Sequence, residues 1–454
     1  MVDQPEETKK PRTSVELFAG GGGLAMAVHQ AGYRPLLFNE FNSRACETLE
    51  ASARKTLGEF GIERTDSKKP RPPAIGEPAP LSPRDVVDLD LTAFAGQVDV
   101  LAGGPPCQPF SAGGVAKGDE DKRNMFPAMF KAIREMRPKV VICENVRGLL
   151  RPSFEEYFKY IQRELTLPFE ERVDKDPWQY HNEKLKGIID RLSEDDENAE
   201  HYRVRVFKVN AADYGVPQIR NRVVMVAFRA DLPIDADEFF EEHSKRRFSK
   251  EALLLSMRDE DGAYWRRHDH VKPHVRDKAR GGIDKKVRPR DGEEELPAWR
   301  TLRDAIQGYG TDVRLPALPE IDLNRLDRKT EQAAHLGITG HIGWPAARIY
   351  KGHTPNELDL PAKTVKAGVH GVPGGESVML LDDREPDSKS ADGYTHLHRY
   401  MTVRETARVM TFPDEWVGCG PRGEQMRQLG NAVPVVLGEY FANAVSKALD
   451  DAGE

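Results

Sequence analysis

Cys107 lies in the run Gly103-Gly104-Pro105-Pro106-Cys107-Gln108-Pro109-Phe110-Ser111, directly after Val98-Asp99-Val100-Leu101-Ala102. A short buried strand that breaks at glycines and prolines presents its next side chain at the strand tip. A thiol held there, ahead of Ala112-Gly113-Gly114, is placed for nucleophilic attack. A free cysteine is ordinarily buried filler, so its partners decide the matter. Cys143-Glu144-Asn145-Val146 follows a second apolar strand, Val140-Val141-Ile142. Neighbouring parallel strands end on one edge of a sheet and share its crevice. Glu144 is therefore expected close to Cys107, as a general acid beside a nucleophile. Gln218-Ile219-Arg220-Asn221-Arg222 leads into another strand, and alternation aims Gln218, Arg220 and Arg222 to one side. Two guanidiniums there suit phosphate or carbonyl oxygens. The plainer alternative is charge that protects a sheet edge.

Phe18-Ala19-Gly20-Gly21-Gly22-Gly23-Leu24 follows a strand and opens a helix, and Glu40 ends the next strand about twenty residues on. That order of strand, glycine loop, helix, strand and acid predicts an adenosine-containing ligand, with Glu40 on the ribose. The lysine of a phosphate-binding loop is absent, which disfavours ATP. Gln428-Leu429-Gly430-Asn431-Ala432-Val433-Pro434 is expected to open the closing helix, with Asn431 as a cap.

These residues require a scaffold that brings strand ends together. Val15 to Phe18, Pro35 to Phe38, Val98 to Leu101, Val140 to Ile142, Arg203 to Val209 and Arg222 to Phe228 read as strands. Leu24 to Ala31, Ser43 to Leu57 and Met125 to Met136 read as helices between them. The alternation predicts an α/β fold, a mostly parallel sheet covered on both faces. Gly61 to Pro83 reads as a Pro- and Lys-rich surface insertion, and Phe154 to Glu200 as a charged helical excursion. From about 232 to 397 the chain is rich in Arg, Pro, Gly and Asp, which predicts a second lobe with few regular elements. Val403 to Met410 and Val433 to Leu449 are helical and return the chain to the first domain. The expected divisions are a polar tail over 1–12, a catalytic and cofactor-binding domain over 13–232, a lobe over 233–397 and a closing segment over 398–454.

At 454 residues and 39% hydrophobic the chain can build one large core and a second lobe. No apolar run has membrane-spanning length. The N-terminal stretch lacks the apolar region of a signal peptide. Four cysteines are too scattered for a disulfide framework or a zinc site, so no metal is expected and a cytoplasmic location is. Net charge of −7 gives no global support for nucleic-acid binding. Locally, Arg266 to Arg290 holds ten Lys/Arg against three Asp.

The ordered set FAGGGG, PPCQPFS, ENV, QIRNR, RYMTVRETARVMTFPD and QLGNAVP resembles the DNA cytosine-5 methyltransferases, across most of the chain outside 233–397. The resemblance implies a Rossmann-like S-adenosylmethionine-dependent methyltransferase with a smaller target-recognition lobe. It makes Cys107 the nucleophile toward C6 of a flipped cytosine. Glu144 contacts N3 and the amino group, Arg222 the base carbonyl, and Arg220 supports the site. Phe18, Gly20 and Gly22 line the S-adenosylmethionine pocket. Glu40 holds the ribose, Phe41 lies against the adenine, and Asp85 contacts its amine, with Asp88 as the other register. Asn431 and Val433 close the pocket. Ser111 to Gly118 becomes a lid, Arg266 to Arg290 a candidate for phosphate contact, and Leu360 to Gly368 resembles a threonine-bearing segment of relatives. Ala27 departs from the family's glycine, and the 61–83 and 154–200 stretches exceed a minimal member.

The resemblance further implies double-stranded DNA as partner and a bacterial restriction–modification or defence setting. A cognate restriction endonuclease would act separately, and the chain is expected to be a monomer. Two alternatives remain open at this point: the tRNA-methylating branch, against which the long 233–397 region speaks, and a catalytically silent DNA-binding partner subunit.

Overall fold

The computed structural model describes residues 11–57, 61–106, 124–173, 176–192, 200–283, 287, 292, 295–328, 330–352, 354–367, 377–390 and 393–454. The first half alternates as expected: β1 (Thr13–Leu17), α1 (Gly23–Gln30), β2 (Arg34–Asn39), α2 (Ser43–Thr56), β3 (Ile62–Arg64), β4 (Ala79–Ser82), β5 (Val100–Gly103), α3 (Phe126–Met136) and β6 (Val140–Val146). Next come α4 (Glu155–Thr166), α5 (Trp178–Ile189), β7 (Tyr202–Asn210) and β8 (Asn221–Arg229). The eight strands form one sheet in the order β3-β4-β2-β1-β5-β6-β8-β7. All neighbours are parallel except that β8 runs against both β6 and β7. The strand order reverses at β1 and β5, which is where open α/β sheets place their ligand crevice.

Alternate residues of the central strands feed two cores, as a sheet covered on both faces requires. Leu101, Val141, Cys143, Val223 and Met225 face α3 and α4, where Met129, Ile133 and Ile161 receive them. Val100, Ala102, Val140, Ile142, Val224 and Val226 face α1 and the last helix, against Leu24, Leu437, Phe441 and Val445. The Gly61 to Pro83 stretch differs from expectation: its ends form β3 and β4, with Phe38 of β2 in register with Leu81. Strands this short, with Pro80 inside one, carry almost no periodicity. β4 is flanked by β3 and β2, but β2 pairs only with Leu81 and Ser82, so Pro80 removes no bond from that ladder.

Past β8 the chain is more regular than its composition suggested. Among the described residues five short helices follow: α6 (Ala236–His243), α7 (Lys250–Arg258), α8 (Ala263–Arg267), α9 (Pro273–Arg280) and α10 (Leu302–Ile306). A hairpin of β9 (Val378–Pro386) and β10 (Tyr394–Tyr400) comes next. α7, α8 and α9 share a small core of Leu253, Met257, Trp265 and Val275. Helix α6 belongs to the large domain instead, because Phe239 packs edge-on against Phe228 of β8 at 4.9 Å.

The closing segment contains α11 (Val403–Val409), α12 (Arg422–Asn431) and α13 (Val435–Asp451). It returns to the first domain. Ala407, Trp416 and Leu429 share a core with α1 and α2, and α13 packs along α1. Among the described residues no helix is long and apolar enough to cross a membrane.

Candidate active site

The loop after β1 is bent by backbone conformations that most residues avoid. Phe18 has φ 58°, in the left-handed region, at a cost of about 1–3 kcal/mol. The loop's hydrogen bonds hold it there: Ala19 N donates to Asn39 O and Gly22 N to Ala19 O, each at 3.0 Å. Gly22, at φ 92°, precedes α1, and a Cβ at Gly23 would lie 2.3 Å from the Val433 carbonyl. The helix start is thus in van der Waals contact with the closing segment. Glu40 ties the loop to the next crossover. Its Oε2 accepts from Gly20 N at 2.7 Å and its Oε1 from Asn42 N at 2.6 Å. Burial pushes the Glu40 carboxyl up, and these backbone donors oppose that push. Asn42 then caps α2, accepting from Arg44 N and Ala45 N.

A cleft of about 540 Å³ opens beside this loop, lined by Phe18, Gly20, Glu40, Phe41, Asp85, Glu144, Asn431 and Val433 among others. Eight of the residues singled out from sequence thus meet on one cavity. Phe41 leaves 72% of its surface exposed, which is unusual for an aromatic ring. Asp85 caps a 3-10 turn by accepting from Val87 N, and its neighbour Asp88 is not on the cleft wall.

At the inner end of the cleft the apolar face of the sheet changes character. Val140 and Ile142 of β6 are core residues, and the next residue on that face is Glu144. On β8, Val226 and Val224 are followed by Arg222, which sits in register with Val146. Reversal of β8 is what brings its first residues to the edge where β6 ends. Arg222 Nε lies 2.9 Å from Glu144 Oε1, with both side chains nearly buried. The angle is poor, and Oε1 has no well-aligned hydrogen bond. Burial raises the Glu144 carboxyl above its ordinary range, against the opposing fields of Arg222 and Arg220. Burial likewise lowers Arg222, against Glu144. Asn145 Nδ2 donates to the Pro105 carbonyl at 3.0 Å, which fixes the end of β6 to the segment leading to Cys107. Cys107 itself lies outside the described residues, as do 108–123.

Three expectations change here. Arg220, only 1% exposed, does not face the cleft. Its Nη1 donates to Val365 O at 2.8 Å, and its Nη2 to Gly430 O at 2.8 Å and Ala432 O at 2.9 Å. The carbonyl oxygens it binds are the chain's own. Gly22 is also off the cleft wall, because a Cβ there would meet Leu49 Cδ2 of α2 at 2.9 Å. Finally, Asn431 ends α12 rather than opening the last helix, and Val433 lies in the link to α13. Pro434 explains this: it disfavours helical backbone at the residue before it, so one helix stops ahead of it and another starts after it.

Over 266–280 each cation of the basic run has a bonding partner, and Arg267, Lys272 and Arg280 face an acid. Arg266 bonds the Asp261 carbonyl, and Arg267 pairs with Asp304 at 2.8 Å. Lys272 pairs with Asp383 at 2.5 Å, and Arg276 donates to Val271 O at 2.8 Å. Lys278 donates to His396 at 3.1 Å, and Arg280 lies 3.6 Å from Asp277. Lys285, Lys286, Arg288 and Arg290 fall outside the described residues.

Sequence reasoning missed Glu16. It lines the cleft, is 4% exposed, and its Oε2 has no hydrogen-bond partner. Burial holds its carboxyl well above the usual range. The signal was a single charge inside Val15-Glu16-Leu17, where both neighbours are fully buried.

Comparison with known proteins converges on one family. The model of the C-5 cytosine-specific DNA methylases matches residues 12–166 and 178–447. The type II methyltransferase M.Eco47II of Escherichia coli is 29% identical over 456 residues, spanning 98% of this chain and 82% of that protein. M.PspPI of Psychrobacter is 26% identical over 454 residues, with the same coverage. Among solved structures, the S. pombe Dnmt2 methyltransferase superposes with a TM-score of 0.50 at 16% identity, covering 98% of this chain and 100% of that one. With its sheet, its cleft and its motifs matched along nearly the whole length, the chain belongs to the C-5 cytosine-specific DNA methylases.

Proposed function

We propose that the protein transfers a methyl group from S-adenosylmethionine to C5 of a flipped cytosine in a specific duplex DNA sequence. We place it as the modifying partner of a type II restriction–modification pair, as the names of M.Eco47II and M.PspPI suggest. The observation that carries the reading is the buried Glu144–Arg222 pair, at the sheet edge where the segment leading to Cys107 is pinned.

The cleft suits the cofactor. Each Glu40 oxygen takes one backbone N–H and keeps lone pairs for a ribose hydroxyl. The exposed ring of Phe41 offers an apolar face to an adenine, with Asp85 near its amine. The orphaned Oε2 of Glu16 would be satisfied by an ammonium group. Asn431 and Val433 close the cavity from the other side. When bound, S-adenosylmethionine supplies the electrophilic methyl group that C5 takes up.

The chain's own residues prepare the base, which must leave the duplex to be reached. Cys107 adds as thiolate to C6, which makes C5 electron-rich. Glu144, whose carboxyl burial raises above its ordinary range, gives its proton to N3 and so makes C6 electrophilic. Arg222 holds the base carbonyl. Loss of the C5 proton and departure of the Cys107 sulfur restore the aromatic ring. Arg220 supports this site from behind, through the backbone.

The test is methyl transfer from labelled cofactor to duplex DNA and to tRNA, followed by bisulfite sequencing of DNA from a host expressing the chain. Label in duplex cytosines, lost in Cys107→Ala, is the expected result. Transfer to tRNA alone would overturn the substrate. DNA binding with no transfer would favour a silent partner subunit.

A further inference from the structure

The chain leaves β6 through two 3-10 turns, Arg147–Leu150 and Pro152–Phe154. Their apolar residues plug into the large core: Leu149 is 0% exposed and Phe154 is 9%. Arg147 and Arg151 are left pointing outward, four residues apart and both exposed. Neither has an acidic partner among the described residues. The acids that follow are engaged elsewhere, since Glu155 and Glu156 each hold Lys159 at 2.9 Å. In the basic run, by contrast, Arg267, Lys272 and Arg280 each face an acid, so two guanidiniums without one at this place stand out.

Their position gives them a use. Arg147 follows Glu144 by three residues, about 10 Å of extended chain. Glu144, Asn145 and Val146 all line the cleft, and Asn145 fixes the segment ahead of Cys107. Arg222 and Arg220 are buried too deeply to meet a sugar–phosphate backbone. Arg147 and Arg151 are presented at the rim by turns anchored on both sides. The planar guanidinium matches a phosphate in a bidentate fashion, and it is weakly hydrated.

We propose that Arg147 and Arg151 grip phosphates of the duplex DNA backbone beside the cytosine that enters the Glu144–Arg222 site. By the same argument, Lys272 and Arg280, which already face acids, contribute little to that grip. The inference rests on the DNA-methylating reading above, and it adds which residues hold the substrate's backbone.

Counterion release makes this measurable. Each phosphate contact adds about 0.9 to the slope of log affinity against log salt. The full chain is titrated with a fluorescent 30-base-pair mixed-sequence duplex over a series of KCl concentrations. Arg147→Gln and Arg151→Gln should each lower the slope by about one, and the double variant by about two. Affinity at 0.1 M salt should fall roughly tenfold per site. Lys272→Gln and Arg280→Gln, at cations that already face an acid, should leave the slope within about 0.3 of the parent. Both arginines are exposed, so unchanged melting temperatures are expected and serve as the folding control. A parent chain that binds duplex with a slope unchanged in the double variant overturns this inference and leaves the methylation reading intact. Equal losses in the Lys272 and Arg280 variants overturn it as well. A parent with no salt-dependent duplex binding overturns both readings.

Discussion

Glu144 is pulled in two directions. Burial favours its neutral form, and the guanidiniums of Arg222 and Arg220 favour its charged form; burial prevails and the carboxyl is raised. The sign of the pH effect follows. A raised carboxyl is protonated at higher pH than a free one, so a step needing the acid form is fastest below the raised value. It slows as pH climbs through that value. Single-turnover transfer should therefore show a Glu144-dependent fall on its rising-pH side. Glu144→Gln offers N3 a hydrogen bond but no proton. Transfer should drop by about 10²- to 10⁴-fold, and that limb of the profile should vanish. An unchanged profile in the variant would remove Glu144 from the proton-transfer role. At this scale the sequence was informative because chemistry needs particular residue types at strand ends. Glu144 and Arg222 stand out by type and spacing, and the fold brings them 2.9 Å apart. Glu16 does not, since one acid in a strand is ordinarily taken for an exposed position, and only the sheet shows that both faces of β1 are covered.

Elements matter here through what joins them, and Arg220 is the clearest joint. One guanidinium binds carbonyls at Val365, Gly430 and Ala432, drawing together the segment before β8, the irregular stretch around Val365 and the cleft wall. Gln218 reinforces it by accepting from Val365 N at 3.1 Å. A lysine carries its three donors on one nitrogen and cannot match carbonyls arranged around the two nitrogens of a guanidinium fork. Arg220→Lys should lose about 3 kcal/mol, seen as a lower melting temperature. It should also raise the KM for cofactor more than it lowers kcat, because the Ala432 wall loosens while Glu144 and Arg222 stay in place. A kcat loss with KM unchanged would instead return Arg220 to the chemistry. The alternation of strands and helices was legible because each period covers several residues. What escaped was governed by context. β3 and β4 have three and four residues and owe their form to a neighbour already in the sheet. The break between α12 and α13 turns on the local reach of Pro434. Helix α6 reads as part of the second lobe by composition, and only its contact with β8 assigns it to the first.

For the molecule as a whole, net charge says little, because what counts is which charges are paired across segments distant in sequence. The fate of the Arg266 to Arg280 cations shows it, and so does α11, a helix in which every residue is buried. Arg404 donates to Thr339 O, Pro413 O and Trp416 O. Arg408 pairs with Asp414 at 2.6 Å and donates to Ile306 O. Glu405 receives Arg399 of β10 at 2.5 and 2.7 Å and the Thr402 backbone N–H at 2.8 Å. So α11 fastens the hairpin and α10 to the body that carries the cleft. Burial alone would raise the Glu405 carboxyl, but Arg399 outweighs burial and holds it down to about 2. A carboxylate depressed in the folded state adds stability that is fully present above its unfolded value of about 4.3. That stability is lost as pH falls from there toward the folded value. The protein should therefore soften between about pH 5 and about pH 3. Glu405→Gln leaves the Arg399 charge buried without its partner, so it should cost about 3–5 kcal/mol at neutral pH. The same variant should lose stability less steeply on acidification than the parent, since the group responsible is gone. Melting temperatures of both proteins, taken from neutral pH down to about pH 3, would show converging curves. Parallel curves would mean that the joint between lobe and body does not depend on this ion pair.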